Sequence, residues 1–230
     1  MPDTLKRISR EIVACRRCPR LVAHRERVAR EKRRAYLDWD YWGRPVPGFG
    51  DPAARLIVVG LAPGAHGANR TGRLFTGDSS GDTLFAALHA HRFASQAQST
   101  SRDDGLTLGD CYITAAVRCA PPDNRPEPGE FVRCLPYLVR ELRLLRGARI
   151  YLALGRAAFD ALLKALPEAG IAGPSARPMP RFGHGAEVPL EDGVRRILAS
   201  YHPSRQNTQT GRLTRAMFHG VFRKARERLS

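Results

Sequence analysis

Carboxylates are scarce in this chain. Among 230 residues, aspartate and glutamate number 22 against 38 lysines and arginines, a formal charge of +16 at neutral pH. That shortage argues against a cationic partner and for a polyanionic one such as nucleic acid. Arginine-rich solvated helix faces give the same sum, so charge alone does not name the partner. Long apolar runs are also missing: none approaches the roughly 18 residues of a membrane span. The opening Met1-Pro2-Asp3-Thr4-Leu5-Lys6 lacks the apolar stretch of a secretory leader. These two absences exclude a membrane helix and lead to the expectation of a cytosolic protein. No internal repeat is present, which excludes a repeat architecture. Cysteines number only five, Cys15, Cys18, Cys111, Cys119 and Cys134. In a reducing compartment they read as metal ligands or buried thiols rather than disulfides.

What is present suffices for one substantial core: 43% of the residues are hydrophobic, which fits a single domain over 1–230 better than two small ones. Four short apolar or β-branched runs, at 55–59, 111–117, 149–154 and 195–200, predict buried strands. Helical spacing marks 82–90, 130–145, 156–166 and 213–228. This alternation predicts an α/β fold, three-layer α/β/α, around a central four-stranded, mainly parallel sheet. The first fifty residues differ in character, with a helix over 5–14, an arginine-rich helix over 21–34 and a loop at 42–48. They read as a helical and loop appendage packed on the core and carrying Cys15 and Cys18. Two further loops are long, a polar one at 95–107 and one rich in Pro and Gly at 167–189.

The unusual residues fall just after strands. The first strand runs into GLAPGAHGANRTGRLFTGD (Gly60 to Asp78), the second into RCAPPDNRP (Arg118 to Pro126) and the fourth into YHPSRQNTQTGR (Tyr201 to Arg212). In a parallel sheet the carboxyl ends of the strands share one edge, where open α/β folds bind ligands. The first loop is glycine-rich but has no G-x-G-x-x-G, and it holds no carboxylate between Gly60 and Thr76. Cys15 and Cys18 form a C-x-x-C pair, Cys119 and Cys134 a C-x14-C pair. Four thiolates suit zinc or a [4Fe–4S] cluster equally by chemistry. Zinc sites favour two compact knuckles, whereas a cubane cluster tolerates ligands from separated loops, so the spacing favours the cluster. Cys119 and Cys134 as plain buried thiols is the alternative, and Cys111, inside a strand, reads as core.

At these three loops and four cysteines the sequence resembles the uracil-DNA glycosylase superfamily, specifically its family 5, the iron–sulfur or type B enzymes, from Cys15 to about Phe218. The resemblance implies a monofunctional hydrolase that flips uracil, and other damaged bases including hypoxanthine and ethenocytosine, out of DNA and cleaves their bond to deoxyribose. It also implies a structural [4Fe–4S] cluster on Cys15, Cys18, Cys119 and Cys134. The partner would be double-stranded DNA, with single-stranded DNA left open, acted on by a monomer in the cytoplasm at the nucleoid.

Cleaving an N-glycosidic bond places negative charge on the base and positive charge on the sugar. His202 is the candidate donor to the base O2; the plain alternative is an anchor for the Pro203-Ser204 turn. Asp78, the nearest carboxylate to the first loop, is the candidate for handling water, with a helix N-cap as its alternative. Asn124 is a candidate phosphate or base contact in ordinary turn surroundings. Gly60, Ala62, Gly64, Phe75 and Ala115 are the expected base pocket, Phe75 as stacking floor unless it is merely core. Ala115 stands where family 4 carries an asparagine that reads uracil, which predicts a broad substrate range. Asn69, Arg70 and Arg73 are expected to face the base and flanking phosphates, and Ser204, Arg205, Gln206 and Asn207 to fill the gap left by the extruded base or hold phosphate. Two other readings remain: a non-enzymatic nucleic-acid-binding protein with a structural metal site, and a relative that cross-links to DNA through His66.

Overall fold

The computed structural model describes residues 3–175 and 178–230. Positions 1, 2, 176 and 177, the first two in the lead-in and the others in the expected 167–189 loop, lie outside the described residues.

Apolar runs with β-branched residues form the centre of one sheet. Its strands are β1 (Phe49–Gly50), β2 (Leu56–Gly60), β3 (Cys111–Ala115), β4 (Ile150–Leu154), β5 (Glu187–Pro189) and β6 (Arg196–Ser200), in the order β1-β3-β2-β4-β6-β5. The four inner strands are mutually parallel and end level, with Gly60 opposite Ala115 and Leu154 opposite Ser200. They are the four predicted strands. The sheet nevertheless has six strands among the described residues, not four, because antiparallel β1 and β5 close its edges. Two- and three-residue strands carry too little periodicity to be read from sequence.

Alternation along each inner strand feeds two cores. Leu56, Val58, Ile113 and Leu152 pack with Leu84, Phe85, Leu88, Phe218 and Phe222 on one face. Those residues come from α4 (Ser79–Ala90) and α8 (Arg215–Leu229); between them in sequence lie α5 (Pro128–Leu144), α6 (Arg156–Glu168) and the short α7 (Arg205–Gln209), and before them α1 (Leu5–Val13), α2 (Pro19–Glu31) and the short α3 (Ala68–Thr71). On the other face Ile57, Val59, Tyr151 and Ile197 meet Leu138 and Leu142 of α5 and Phe159 and Leu162 of α6. This is the expected three-layer α/β/α arrangement. Among the described residues no helix is long and apolar enough to cross a membrane.

The appendage is latched to α5. Ile8 and Ile12 of α1 bury against Tyr137, and Arg140 pairs with Asp3 at 2.7 Å and with Glu11. Arg20, two residues after Cys18, forks onto Glu130 at 3.0 and 2.9 Å. Glu130 is 1% exposed and also accepts from the Glu127 N–H at the start of α5. Two charged hydrogen bonds to a buried carboxylate fix the geometry of this corner.

Candidate active site

The loops leaving β2, β3 and β6 emerge from one sheet edge, because these strands are parallel. The loop after β2 is built around Phe75, which sits at φ +55, a left-handed conformation unfavourable for a bulky residue. Two glycines make this posture fit. A Cβ at Gly60 would lie 2.6 Å from the Phe75 ring, and one at Gly81 would lie 1.7 Å from its carbonyl oxygen. The ring is thereby set against His202, stacked at 5.8 Å between centroids. Ala115 pairs with Gly60 at the end of β3 and is 1% exposed.

Asp78 divides its two oxygens. Oδ1 caps α4, accepting from the Ser80 and Gly81 N–H groups at 3.0 and 3.1 Å. Oδ2 leans over the first loop, where a Cβ would sit 3.0 Å from it at Gly64 and 2.0 Å from it at Gly67. The N-cap expectation is met by one oxygen, and the other lies on the loop. Burial raises the pKa of this carboxyl, against the pull of the Gly81 and Ser80 amides. A carboxylate with raised basicity is suited to accept a proton from water.

His202 follows β6, and its carbonyl is braced by Asn207 Nδ2 at 2.9 Å. Burial lowers its pKa to about 4, so at neutral pH the ring is an uncharged hydrogen-bond donor rather than an imidazolium. Ser204 caps α7, accepting from the Asn207 N–H, while Arg205 and Gln206 are exposed. Asn124 lies in a single 3-10 turn after β3, exposed and at φ +56. The structure thus brings Gly60, Gly64, Phe75, Asp78, Ala115 and His202 together, leaves Asn124 on the exposed part of its loop, and turns Ala62 toward the cysteines.

Three residues expected to face DNA are inside. Asn69 is fully buried and donates to the Arg25 carbonyl. Arg70 is 4% exposed, bonded to the His66 and Gly77 carbonyls at 2.8 and 2.9 Å and packed against both the Tyr36 and Trp39 rings. Arg73 is 6% exposed and meets Thr76, Ser99, Asp104 and the Arg102 carbonyl. The expectation for these three is corrected: they hold the first loop in shape, since a charge this buried needs internal partners. Tyr41 was not singled out by sequence; its hydroxyl meets His66 Nδ1 at 3.1 Å across 25 positions, a distance that hides the pairing.

Cys18, Cys119 and Cys134 share one buried cluster with Leu21 and Val117, and Cys15 lies beside it with Tyr137. All are free thiols, and Cys119 feels the charge of the other three. Each has an arginine. Arg133 donates to Cys18 Sγ at 3.3 Å, Arg17 bonds Cys15, Arg25 acts on Cys119 and Arg118 on Cys134. Burial pushes the Cys119 thiol up to about 12 and also raises that of Cys134, so those two sulfurs ionise only with added positive charge. Sulfurs that accept from the Arg133 and Arg17 side chains and from the Arg118 backbone N–H fit an anionic metal–thiolate group. Among the described residues no three His, Cys, Asp or Glu side chains close around a single ion. Cys111 is fully buried in β3 among core residues.

The family model of the uracil DNA glycosylase superfamily matches residues 47–226. The chain is 55% identical over 215 residues to the type-5 uracil-DNA glycosylase of Thermus thermophilus, covering 94% of each chain. It is 52% identical over 217 residues to that of Mycobacterium tuberculosis, covering 94% of this chain and 78% of the relative. The type-4 uracil-DNA glycosylase of Archaeoglobus fulgidus is more distant, 32% identical over 155 residues, 67% of this chain and 61% of the relative. A chain with this sheet edge, this loop and these similarities belongs to the uracil-DNA glycosylase superfamily, within its type-5 branch.

Proposed function

We propose that this hydrolase excises uracil from DNA, and that it extrudes the base and accepts further deaminated or damaged bases such as hypoxanthine and ethenocytosine. The observation that carries the reading is the neutral His202 ring stacked on Phe75, beside a turn that offers the free oxygen of Asp78.

The flipped base lies on the Phe75 ring, with stacking worth about 1–3 kcal/mol. As the glycosidic bond breaks, its electron pair moves onto the base, and His202 stabilises the resulting anion by donating a hydrogen bond to O2. Asp78 Oδ2 orients water toward C1′ of the sugar and takes its proton as the new C–O bond forms. Asn124 contacts the substrate phosphate or base, and the exposed Arg205 and Gln206 enter the duplex where the base has left. With Ala115 in place of an amide at the strand end, the pocket imposes little hydrogen-bond discrimination among bases.

Cys15, Cys18, Cys119 and Cys134 would hold a [4Fe–4S] cluster, which when bound supplies a structural cross-link between the appendage and the core. The working species is a monomer on damaged DNA in the cytoplasm, at the nucleoid. The direct test is an end-labelled duplex with one uracil, treated with alkali after incubation. Strand breakage that the His202→Ala protein lacks supports the reading; an intact strand with wild-type protein leaves a DNA-binding protein without this chemistry. Cleavage of uracil with hypoxanthine untouched removes the broad-range element alone.

A further inference from the structure

A cavity outside the candidate active site lies between the appendage helices and the segment that supports the first loop. Its volume is about 580 Å³, and its lining includes Arg10, Arg16, Arg25, Arg30, Trp42 and Arg44, with Glu26 as its one carboxylate. Glu26 is engaged by Arg16 at 2.6 and 3.3 Å and stands 3.6 Å from Arg25 Nη2, so one carboxylate is shared between two of the five guanidiniums and the lining keeps a surplus of positive charge. Arg25 is 2% exposed and fixed on the Gly43 carbonyl at 2.6 Å, and its Nε has no partner. Arg10, Arg30 and Arg44 are exposed, and among the described residues none offers their side chains a hydrogen-bond acceptor. Arg44 is braced over the Trp42 ring at 5.6 Å, and that indole N–H is already given to the Pro45 carbonyl. Like charges gathered around one hollow repel one another, and an anion among them relieves that repulsion.

The location narrows the anion. The Trp42 and Gly43 N–H groups bond the Arg70 and Asn69 carbonyls at 2.9 and 3.0 Å, and Tyr41 meets His66. One wall of the cavity is therefore the outer side of the loop that reaches Asp78. We propose that this cavity binds backbone phosphate of the DNA strand flanking the lesion, with Arg10, Arg30 and Arg44 as its phosphate-binding side chains and buried Arg25 as its fixed positive floor. Guanidinium forks suit phosphodiester oxygens, and a contact here extends the footprint beyond the damaged nucleotide without reading sequence. The assignment rests on the uracil-excision reading for its substrate but is tested by binding.

The test uses the full chain and a variant carrying Arg10→Gln, Arg30→Gln and Arg44→Gln, three exposed positions whose loss leaves the core intact. Affinity for a long uracil-containing duplex is measured against salt, as is affinity for an oligonucleotide only a few nucleotides long centred on the lesion. Each lost phosphate contact lowers the slope of log affinity against log salt by about 0.9, so the variant's slope on the long duplex falls by about 2–3. On the short one it stays unchanged, and kcat is retained while KM rises on the long duplex only. An unchanged slope on long DNA overturns the proposal. So does thermal protection of the wild type, but not the variant, by inorganic phosphate or pyrophosphate with no slope change, which assigns the cavity to a free phosphorylated ligand. Failure of the wild type to release uracil defeats the excision reading instead, and leaves the slope comparison on DNA standing.

Discussion

One oxygen of Asp78 holds a helix and the other faces the loop, so substitutions can separate the two roles. Serine caps a helix about as well as aspartate. The Asp78→Ser protein is therefore expected to keep its stability within a few tenths of a kcal/mol while losing most of its single-turnover rate on uracil; loss of both together would mean the residue is structural. Gly67→Ala attacks from the other side. Its Cβ would arrive 2.0 Å from Oδ2 and 2.8 Å from Cγ, so the carboxyl is displaced as a unit, and excision is expected to fall together with melting temperature as the Oδ1 cap of α4 is disturbed. For His202→Ala the expected loss is about 10²–10³ in single-turnover rate, the cost of removing one donor to a developing anion. The places of His202 and Asp78 in the fold were legible in sequence because one follows a strand and the other opens a helix. Asn69, Arg70 and Arg73 were not, because a charged residue type says nothing about which way it points. Arg70 finds Tyr36 and Trp39 only once the appendage folds back.

At the level of elements, strands β2, β3, β4 and β6 and the long helices were visible in hydrophobic period, since each buries a continuous face. The edge strands β1 and β5 and the short helices α3 and α7 were invisible, being held by neighbours rather than by pattern. Helix α5 carries a group that sequence could not pair: Glu141 binds Arg118 at 2.5 Å and Thr114 at 2.6 Å, with both charged side chains 1–2% exposed. Removing one partner strands the other charge in the core. Glu141→Leu is expected to destabilise by about 3–5 kcal/mol in urea unfolding. The same helix presents Cys134. Cys134→Ala should lose bound iron and visible absorption and melt earlier, whereas Cys111→Ala, in the strand core, keeps its iron; equal iron in both would refute the ligand assignment.

For the molecule as a whole, acid is the vulnerable direction. Unfolded, His202 takes up a proton near pH 6.5; folded, it resists until about pH 4. A folded pKa below the unfolded one means stability is fully present above about 6.5 and declines as pH falls toward 4. His202→Asn should therefore lose less melting temperature than wild type between about pH 7 and pH 5. An equal loss would show that the ring is solvated. Excision also declines toward acid, because burial raises the Asp78 pKa and protonation removes the group that accepts the water proton at a higher pH than for an ordinary carboxylate.

The rungs from Trp42 and Gly43 to Arg70 and Asn69 bear on how small a working version of this enzyme can be made. The family model begins at residue 47, which invites trimming to the sheet and its helices. Such a minimal chain would keep every strand and both His202 and Asp78. It would discard Cys15 and Cys18, the ring of Tyr41 on His66, and the backbone ties that keep α3 from swinging free. The shortened protein would leave buried Glu130 without Arg20 and Arg70 without its two rings, its reactive turn untethered on the side where the discarded residues had stood.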